Sequence, residues 1–418
     1  MDFSLVEVTA QQRQFANEVR AFLDEIMTQD VYDRELEHGE GFDEKVHLGL
    51  GEKGWLMPSW PVEHGGAGLD PISARILELE MTRKQVPGLT TTMSTTNLVW
   101  AAVERYLDPV LMEPMRLDVA RGRVRFCLGY TEPDGGSDIA AAKVRAVQDG
   151  DEWMINGSKI FTTCAQNCQY VFLITRTDPD LPKHKGLTMF LVPLNSPGVE
   201  IQGIRAFSGE RTNIVYYSDV RVSDQYRLGP VNAGWSVLHG PLDAEHGIGR
   251  EDTGLRPGPG AGFLRYLEEA LKATVHWAQT AVRADGSRVA DDRVAQLRIG
   301  RVIAEFEAGV STPGPMGRVA GADVMVRGSA DLIDLVGIEA LESMTRVNEP
   351  GLAAVEYAQR FAQGTTTYGG TVEVFRAIIA QHQLGLPTLA LPGRKVFLPA
   401  SRQSAARPVS AHPTGPSS

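Results

Sequence analysis

Apolar residues recur at two different periods along this chain, and the change of period divides it. From Phe15 through Val19, Phe22, Leu23 and Ile26 they fall on one helical face, behind a Thr9-Ala10-Gln11-Gln12 capping box. Helical spacing returns at Ile72 to Gln85, Met93 to Tyr106 and Pro109 to Ala120, with a Gly-rich, Trp55- and Trp60-anchored loop from Gly51 to Gly68 in between. From Arg123 the period shortens to two, predicting strands at Val124–Tyr130, Lys143–Gln148, Glu152–Ile155, Tyr170–Arg176, Leu187–Pro193, Val199–Ile204 and Ile214–Val222. Short strands separated by turns predict a small antiparallel barrel or sandwich. Helical patterning resumes near Ala233 and predicts helices at Gly234–His246, Phe263–Arg283, Arg293–Gly309, Ala322–Thr345, Pro350–Ala362 and Thr371–Leu384. The expected organisation is therefore a helical domain over residues 1–122, a β-domain over 123–232, a helical bundle over 233–387 and a disordered Pro-, Ser- and Ala-rich tail over 388–418. The small-residue run from Gly249 to Gly262 lacks the G-x-G-x-x-G pattern and follows no strand, so it reads as a connection.

The chain has 418 residues, enough for two or three domains, with 43% hydrophobic and 22% charged residues. Its formal net charge of −11 argues against nucleic acid or an anionic membrane as the main partner, since both select clustered Lys and Arg. No apolar run reaches membrane-spanning length, and Met1-Asp2-Phe3-Ser4 has no basic or apolar leader, so a cytoplasmic location is expected. The cysteines, Cys127, Cys164 and Cys168, form no disulfide framework, and the Cys164–Cys168 spacing fits neither C-x-x-C nor a metal site.

One stretch concentrates the chemistry. Thr131-Glu132-Pro133-Asp134-Gly135-Gly136-Ser137-Asp138 follows an apolar strand, where small residues let a ligand reach backbone N–H groups. Some twenty residues on, Asp149-Gly150 and Asn156-Gly157 read as turns flanking a short strand, and Gly157-Ser158-Lys159-Ile160-Phe161-Thr162-Thr163 follows. On composition alone this is a surface turn system.

The run Leu128-Gly129-Tyr130-Thr131-Glu132-Pro133 with Gly135-Gly136-Ser137-Asp138 resembles the flavin-binding signature of the acyl-CoA dehydrogenases, and Gly157 to Thr163 resembles their companion flavin segment. The resemblance, of actinobacterial type, covers residues ~5 to 387. It implies an α+β multidomain fold with an N-terminal all-α domain, a middle antiparallel β-barrel and a C-terminal four-helix-type bundle. It also implies FAD as cofactor, with Leu128, Tyr130, Thr131, Gly136 and Ser137 against the flavin or substrate, Phe161 beside the ring where the family often has Trp, and Thr163 bonding it. Plain core packing is the alternative role for Phe161. Tyr368-Gly369-Gly370-Thr371-Val372-Glu373 resembles the family's Y-E-G-T segment, which implies cofactor-binding roles for Thr371 and Glu373 at a helix start.

Gly369 stands where many relatives carry the catalytic Glu, and it cannot remove a proton. A second branch of the family places that base on the first bundle helix, where Glu245 matches. Glu245 is then the expected base, with the Gly369 N–H as donor to the thioester carbonyl; a solvated helix-end carboxylate is the alternative. That branch follows its Glu with Arg, and this chain has His246, either a packing substitute or a modulator of Glu245; Arg250 could restore the charge. His246, Arg250 and Ser137 are the expected substrate contacts. Arg283 matches a family cofactor Arg, but Ala284-Asp285-Gly286-Ser287 replaces the aromatic pair that follows it in relatives.

The resemblance thus implies FAD-dependent α,β-dehydrogenation of an acyl-CoA thioester to the trans-2-enoyl-CoA in lipid catabolism. An electron-transfer flavoprotein would accept the electrons, and the assembly would be a homo-dimer or tetramer, or a heterotetramer with a paralogue. A half-site partner subunit, and a flavin oxidase or oxygenase, are the alternative readings. No metal is expected.

Overall fold

A computed structural model describes residues 8–245, 261–342 and 350–387. Helices α1 (Ala10–Ile26), α2 (Gln29–His38), α3 (Glu44–Glu52), α4 (Pro71–Arg83), α5 (Ser94–Tyr106) and α6 (Pro109–Ala120) come first. Strands follow at β1 (Phe126–Gly129), β2 (Arg145–Asp149), β3 (Glu152–Ile160), β4 (Tyr170–Arg176), β5 (Leu187–Pro193), β6 (Val199–Arg205), β7 (Arg211–Ser223) and β8 (Arg227–Leu228). Then come α7 (Gly234–Glu245), α8 (Ala261–Thr280), α9 (Arg293–Ser311), α10 (Gly314–Val336), α11 (Ile338–Glu342), α12 (Pro350–Thr365) and α13 (Val372–Ile378).

Local chemistry sets several boundaries where the pattern puts them. The Thr9 capping box forms, with the Thr9 and Gln12 side chains each accepting from the other's backbone N–H. Asp70 caps α4 ahead of Pro71, and Asp108 caps α6 ahead of Pro109. Helices α2 and α3 escape the periodicity reading because they are short and the first is mostly polar. The helix expected over Ala322–Thr345 starts earlier, at Gly314, and breaks at Gly337, whose φ of +71 no helix continues through.

The strands form one sheet in the order β6-β7-β3-β2-β4-β5-β8, with β1 also paired to β4. Two expectations need correction. The sheet is mixed rather than wholly antiparallel, because β1–β4 and the single β2–β4 pairing are parallel, and its path ends at β6 and β8. Period-two patterning reports which face a residue takes, not which way its neighbour runs. The Asn156-Gly157 turn does not form either: β3 continues to Ile160, and the register shifts there because Asn156 faces two residues of β7, Ser218 and Asp219, the latter at φ +51. A Cβ at Gly157 would stand 3.1 Å from the Val144 Cα, so close backbone approach selects glycine there.

Strands β4 and β5 are buried on both faces. Phe172, Ile174, Leu187, Met189 and Leu191 pack with residues of α5, α6 and α7, while Val171, Leu173, Phe190 and Val192 pack with Trp153, Ile155, Val215 and Val220. This double burial locks the sheet against the N-terminal helices on one side and closes its own core on the other. Helices α8, α9, α10 and α12 form the C-terminal bundle around Leu264, Leu267, Val302, Met325, Leu332 and Phe361.

Candidate active site

The Thr131–Asp138 loop and the Gly157–Thr163 segment are pinned together by a buried ion pair. Lys159, with no exposed surface, donates through Nζ to Glu132 Oε1 at 2.7 Å and to the Tyr130 carbonyl at 3.1 Å. Glu132 also accepts from the backbone N–H groups of Lys143 at 2.7 Å and Val144 at 2.9 Å, so both its oxygens are used. Burial pulls the Lys159 ammonium down to about 8 against the opposing pull of Glu132. The Ile160 N–H to Thr131 carbonyl bond of 2.9 Å completes the joint.

Around this joint the predicted residues take distinct positions. Leu128 is half-buried and Tyr130 buried on the strand-end side. Gly136 packs close to Thr131, with only 3.1 Å between the Thr131 Cγ2 and the place a Cβ would take. The N–H groups of Gly136 and Ser137 meet no acceptor among the described residues. Phe161 sits at φ +59 with its ring 61% exposed, which overturns its reading as plain core packing and presents an aromatic face at the end of β3. Thr162 beneath it is buried with its hydroxyl unpartnered. Thr163 is exposed, its hydroxyl 3.1 Å from that of Thr212 at the start of β7.

The same start of β7 reaches the C-terminal loop. Tyr368 donates to Glu210 Oε2 at 3.4 Å, so residues 210–212 bridge the Phe161–Thr163 segment to the loop holding Gly369. Burial pushes the Glu210 carboxyl up, opposed by its bonds from Ser208 and Tyr368. Gly369 and Gly370 lie at φ +58 and +94, conformations glycine adopts without strain, and the Gly369 N–H has no acceptor among the described residues. Thr371 caps α13 by accepting from the Val374 N–H at 3.3 Å, and Glu373 stands exposed near Arg376.

Arg283 is placed apart from this set, in an ion pair with Asp292 at 2.5 Å. Glu245 is the last described residue of α7, whose Val237 and Leu238 pack under α5 and β5. His246 and Arg250, the 249–260 part of the small-residue run and the 388–418 tail lie outside the described residues. Sequence reasoning passed over Glu132 and Lys159 as partners, and Glu210, Thr212 and Arg318 altogether. The first two were legible as charges inside an apolar-flanked motif; the others carry no local signal.

An aromatic face and backbone N–H groups without an acceptor among the described residues on a Gly-Ser loop form a donor set and platform suited to a flat, hydrogen-bonding ring system. The helices–sheet–bundle fold, with this site at the ends of β1 and β3 and the start of β7, has the architecture of a flavoprotein dehydrogenase. Comparison with known proteins carries this further. Residues 9–110 match the family model for the acyl-CoA dehydrogenase N-terminal domain, and residues 127–221 the model for the middle domain. Acyl-CoA dehydrogenase FadE26 of Mycobacterium tuberculosis is 30% identical over 413 residues, spanning 91% of this chain and 98% of that one. The ChsE4-ChsE5 complex from the same species aligns over 92% of this chain and 100% of that chain at 29% identity, with a TM-score of 0.76. A structure described as the Tcur3481-Tcur3483 steroid ACAD aligns over 93% and 100% at 27% identity, also with a TM-score of 0.76. The chain belongs to the acyl-CoA dehydrogenase family, an FAD-dependent oxidoreductase class.

Proposed function

We propose that this chain desaturates an acyl-CoA thioester between Cα and Cβ, giving the trans-2-enoyl-CoA. The observation that carries the reading is the Lys159–Glu132 staple, which presents Phe161, Thr163 and the Gly136–Ser137 N–H groups on one platform bridged to Gly369. FAD, when bound there, supplies the hydride acceptor. Leu128, Tyr130, Thr131, Gly136, Ser137, Phe161 and Thr163 hold its ring end, and Thr371 and Glu373 serve its phosphate and adenosine end. Glu245 takes the α-proton, and the Gly369 N–H donates to the thioester carbonyl as negative charge gathers on that oxygen. His246, Arg250 and Ser137 complete the substrate contacts.

A bulky acyl group such as a steroid side chain is the favoured substrate class, supported by the likeness to a structure described as a steroid ACAD. An electron-transfer flavoprotein is the favoured acceptor; a 27% identical relative is named as a subunit of a caffeyl-CoA reductase-Etf complex. The division into domains at 122, 232 and 387 and a cytoplasmic site of action belong to the same proposal. Among the described residues no helix is long and apolar enough to cross a membrane.

A second reading has its own support. Arg283 is held by Asp292, and the aromatic pair expected after it is replaced, so the adenosine half of the site is weakened. That favours assembly with a paralogous chain, as does the likeness to the ChsE4-ChsE5 complex. The deciding experiment is the visible spectrum of the purified protein followed by anaerobic titration with straight-chain, branched and steroid-side-chain CoA thioesters. Flavin bleaching by one of them supports the dehydrogenase and identifies its substrate class. A colourless protein, or a yellow one that no thioester bleaches, supports the partner-subunit reading.

A further inference from the structure

Arg318, in the second turn of α10, is the largest fully buried side chain among the described residues, at 2% exposure. Its guanidinium lies 4.9 Å from the Phe263 ring centre and 5.3 Å from that of Phe375. It forms no ion pair with a described residue, and burial alone pulls it down to about 10. An arginine buried without a carboxylate is costly, and a Met or Leu would fill the same space without that cost. What the arginine supplies instead is one nitrogen that ties two carbonyls: Nη2 donates to the Tyr368 carbonyl at 2.5 Å and to the Gly370 carbonyl at 3.1 Å, while the buried Nη1 meets no acceptor among the described residues.

Those two carbonyls flank Gly369, and the first shares a peptide plane with the Gly369 N–H. In a trans peptide the C=O and N–H point in opposite directions. Fixing the Tyr368 oxygen toward α10 therefore aims the Gly369 N–H away from the bundle. The guanidinium charge on that oxygen also polarises the peptide and makes its N–H a stronger donor. Gly369 and Gly370, with no Cβ and both at positive φ, would otherwise sample several orientations of this plane. We infer that Arg318 is a positioning residue for the reaction: it sets the direction and strength of the Gly369 N–H that receives the thioester oxygen. The inference rests on the proposed role of that N–H.

The test uses the flavin-loaded protein, in whatever assembly it is isolated, with the non-reacting product analogue [1-13C]trans-2-octenoyl-CoA. The infrared stretch of the labelled carbonyl reads the hydrogen bond directly. In the wild type the bound carbonyl stretches at lower frequency than in solution. In Arg318→Met the stretch moves back toward the solution value, and kcat falls about 10- to 100-fold with KM within about 2-fold, somewhat less than the loss from removing an oxyanion donor outright. Arg318→Lys, which keeps the charge and a multiple donor on a shorter side chain, recovers part of both. A Met variant with wild-type stretch and kcat overturns the inference. If the Met variant does not fold, Arg318→Gln, which removes the charge and shortens the side chain, overturns the inference if it is indistinguishable from wild type in both readouts. A wild-type carbonyl that does not shift removes the Gly369 assignment itself, a failure distinct from that of Arg318.

Discussion

Replacing Lys159 by Met tests the joint on which the site is built. Met fills most of the lysine's volume, so the change removes the ammonium while leaving packing near its original density. Glu132 is then left 8% exposed with two backbone N–H donors and no ion-pair partner, only the more distant charges of Arg176 and Lys143. Breaking one side of a buried pair costs about 3–5 kcal/mol. The two remaining N–H bonds, and the relief of burying an ammonium that burial already disfavours, place the expected loss near the lower end, about 3 kcal/mol. Spread over the 387 residues ahead of the expected tail, this is a fall of about 4 °C in Tm. The assay is a double-mutant cycle with Glu132→Gln, read by thermal unfolding and by retained flavin. Each single variant should cost about 3 kcal/mol, and the double variant about the same rather than twice as much, because no lone charge is left behind. Flavin retention should fall in both singles, since Thr131 and Ile160 lose their fixed spacing. Additivity within about 0.5 kcal/mol would refute the argument.

Glu245→Gln should keep flavin and lose turnover by about 10²-fold or more, checked by steady-state kinetics; full activity would remove Glu245 from the chemistry. Gly39→Ala should loosen the docking of the β6–β7 turn, because Gly39 lies at φ +60 and a Cβ there would stand 2.1 Å from the Gly209 carbonyl; faster amide exchange in residues 205–211 is the readout. Glu35 faces the Gly41 N–H, Glu40, Glu210 and Arg265, and burial raises its carboxyl from 4.5 to about 7. A raised folded-state value means the contribution is full below about 4.5 and is lost as pH rises through about 7, so the wild-type Tm should fall relative to Glu35→Gln across that window; parallel profiles would refute it. Burial raises the Cys164 thiol to about 12 and Cys168 well above its usual range, so iodoacetamide at pH 8 should label no cysteine of the folded protein, as mass spectrometry would show.

The elements whose signal is local were legible in the chain. Tyr170–Arg176 and Leu187–Pro193 are continuous apolar runs that only a strand buried on both faces can use, and both form at the expected bounds. Pro109–Ala120 likewise forms as read, because Asp108 and Pro109 specify its start chemically. Asn156-Gly157 misled because the dipeptide is a turn signal by itself, whereas here it pairs along β7, whose extra residue opposite Asn156 carries the irregularity.

Thr131 to Asp138 and Gly157 to Thr163 were legible as family motifs, since small and aromatic residues at fixed spacing are a one-dimensional signal. What joins them is not one-dimensional. Glu132 and Lys159 meet across 27 residues, Thr163 and Thr212 across 49, Glu210 and Tyr368 across 158, and Arg318 and Tyr368 across 50. Each of these contacts depends on where the sheet twists and where α10 and α12 cross, which no residue's neighbours in sequence encode. The family and the order of helices, sheet and bundle were legible residue by residue along the chain. That a buried lysine staples the two loops, and that a buried arginine holds the Tyr368 and Gly370 carbonyls, emerges only from the folded chain. Desolvated charges are tolerated only where a partner from elsewhere in the fold arrives to meet them.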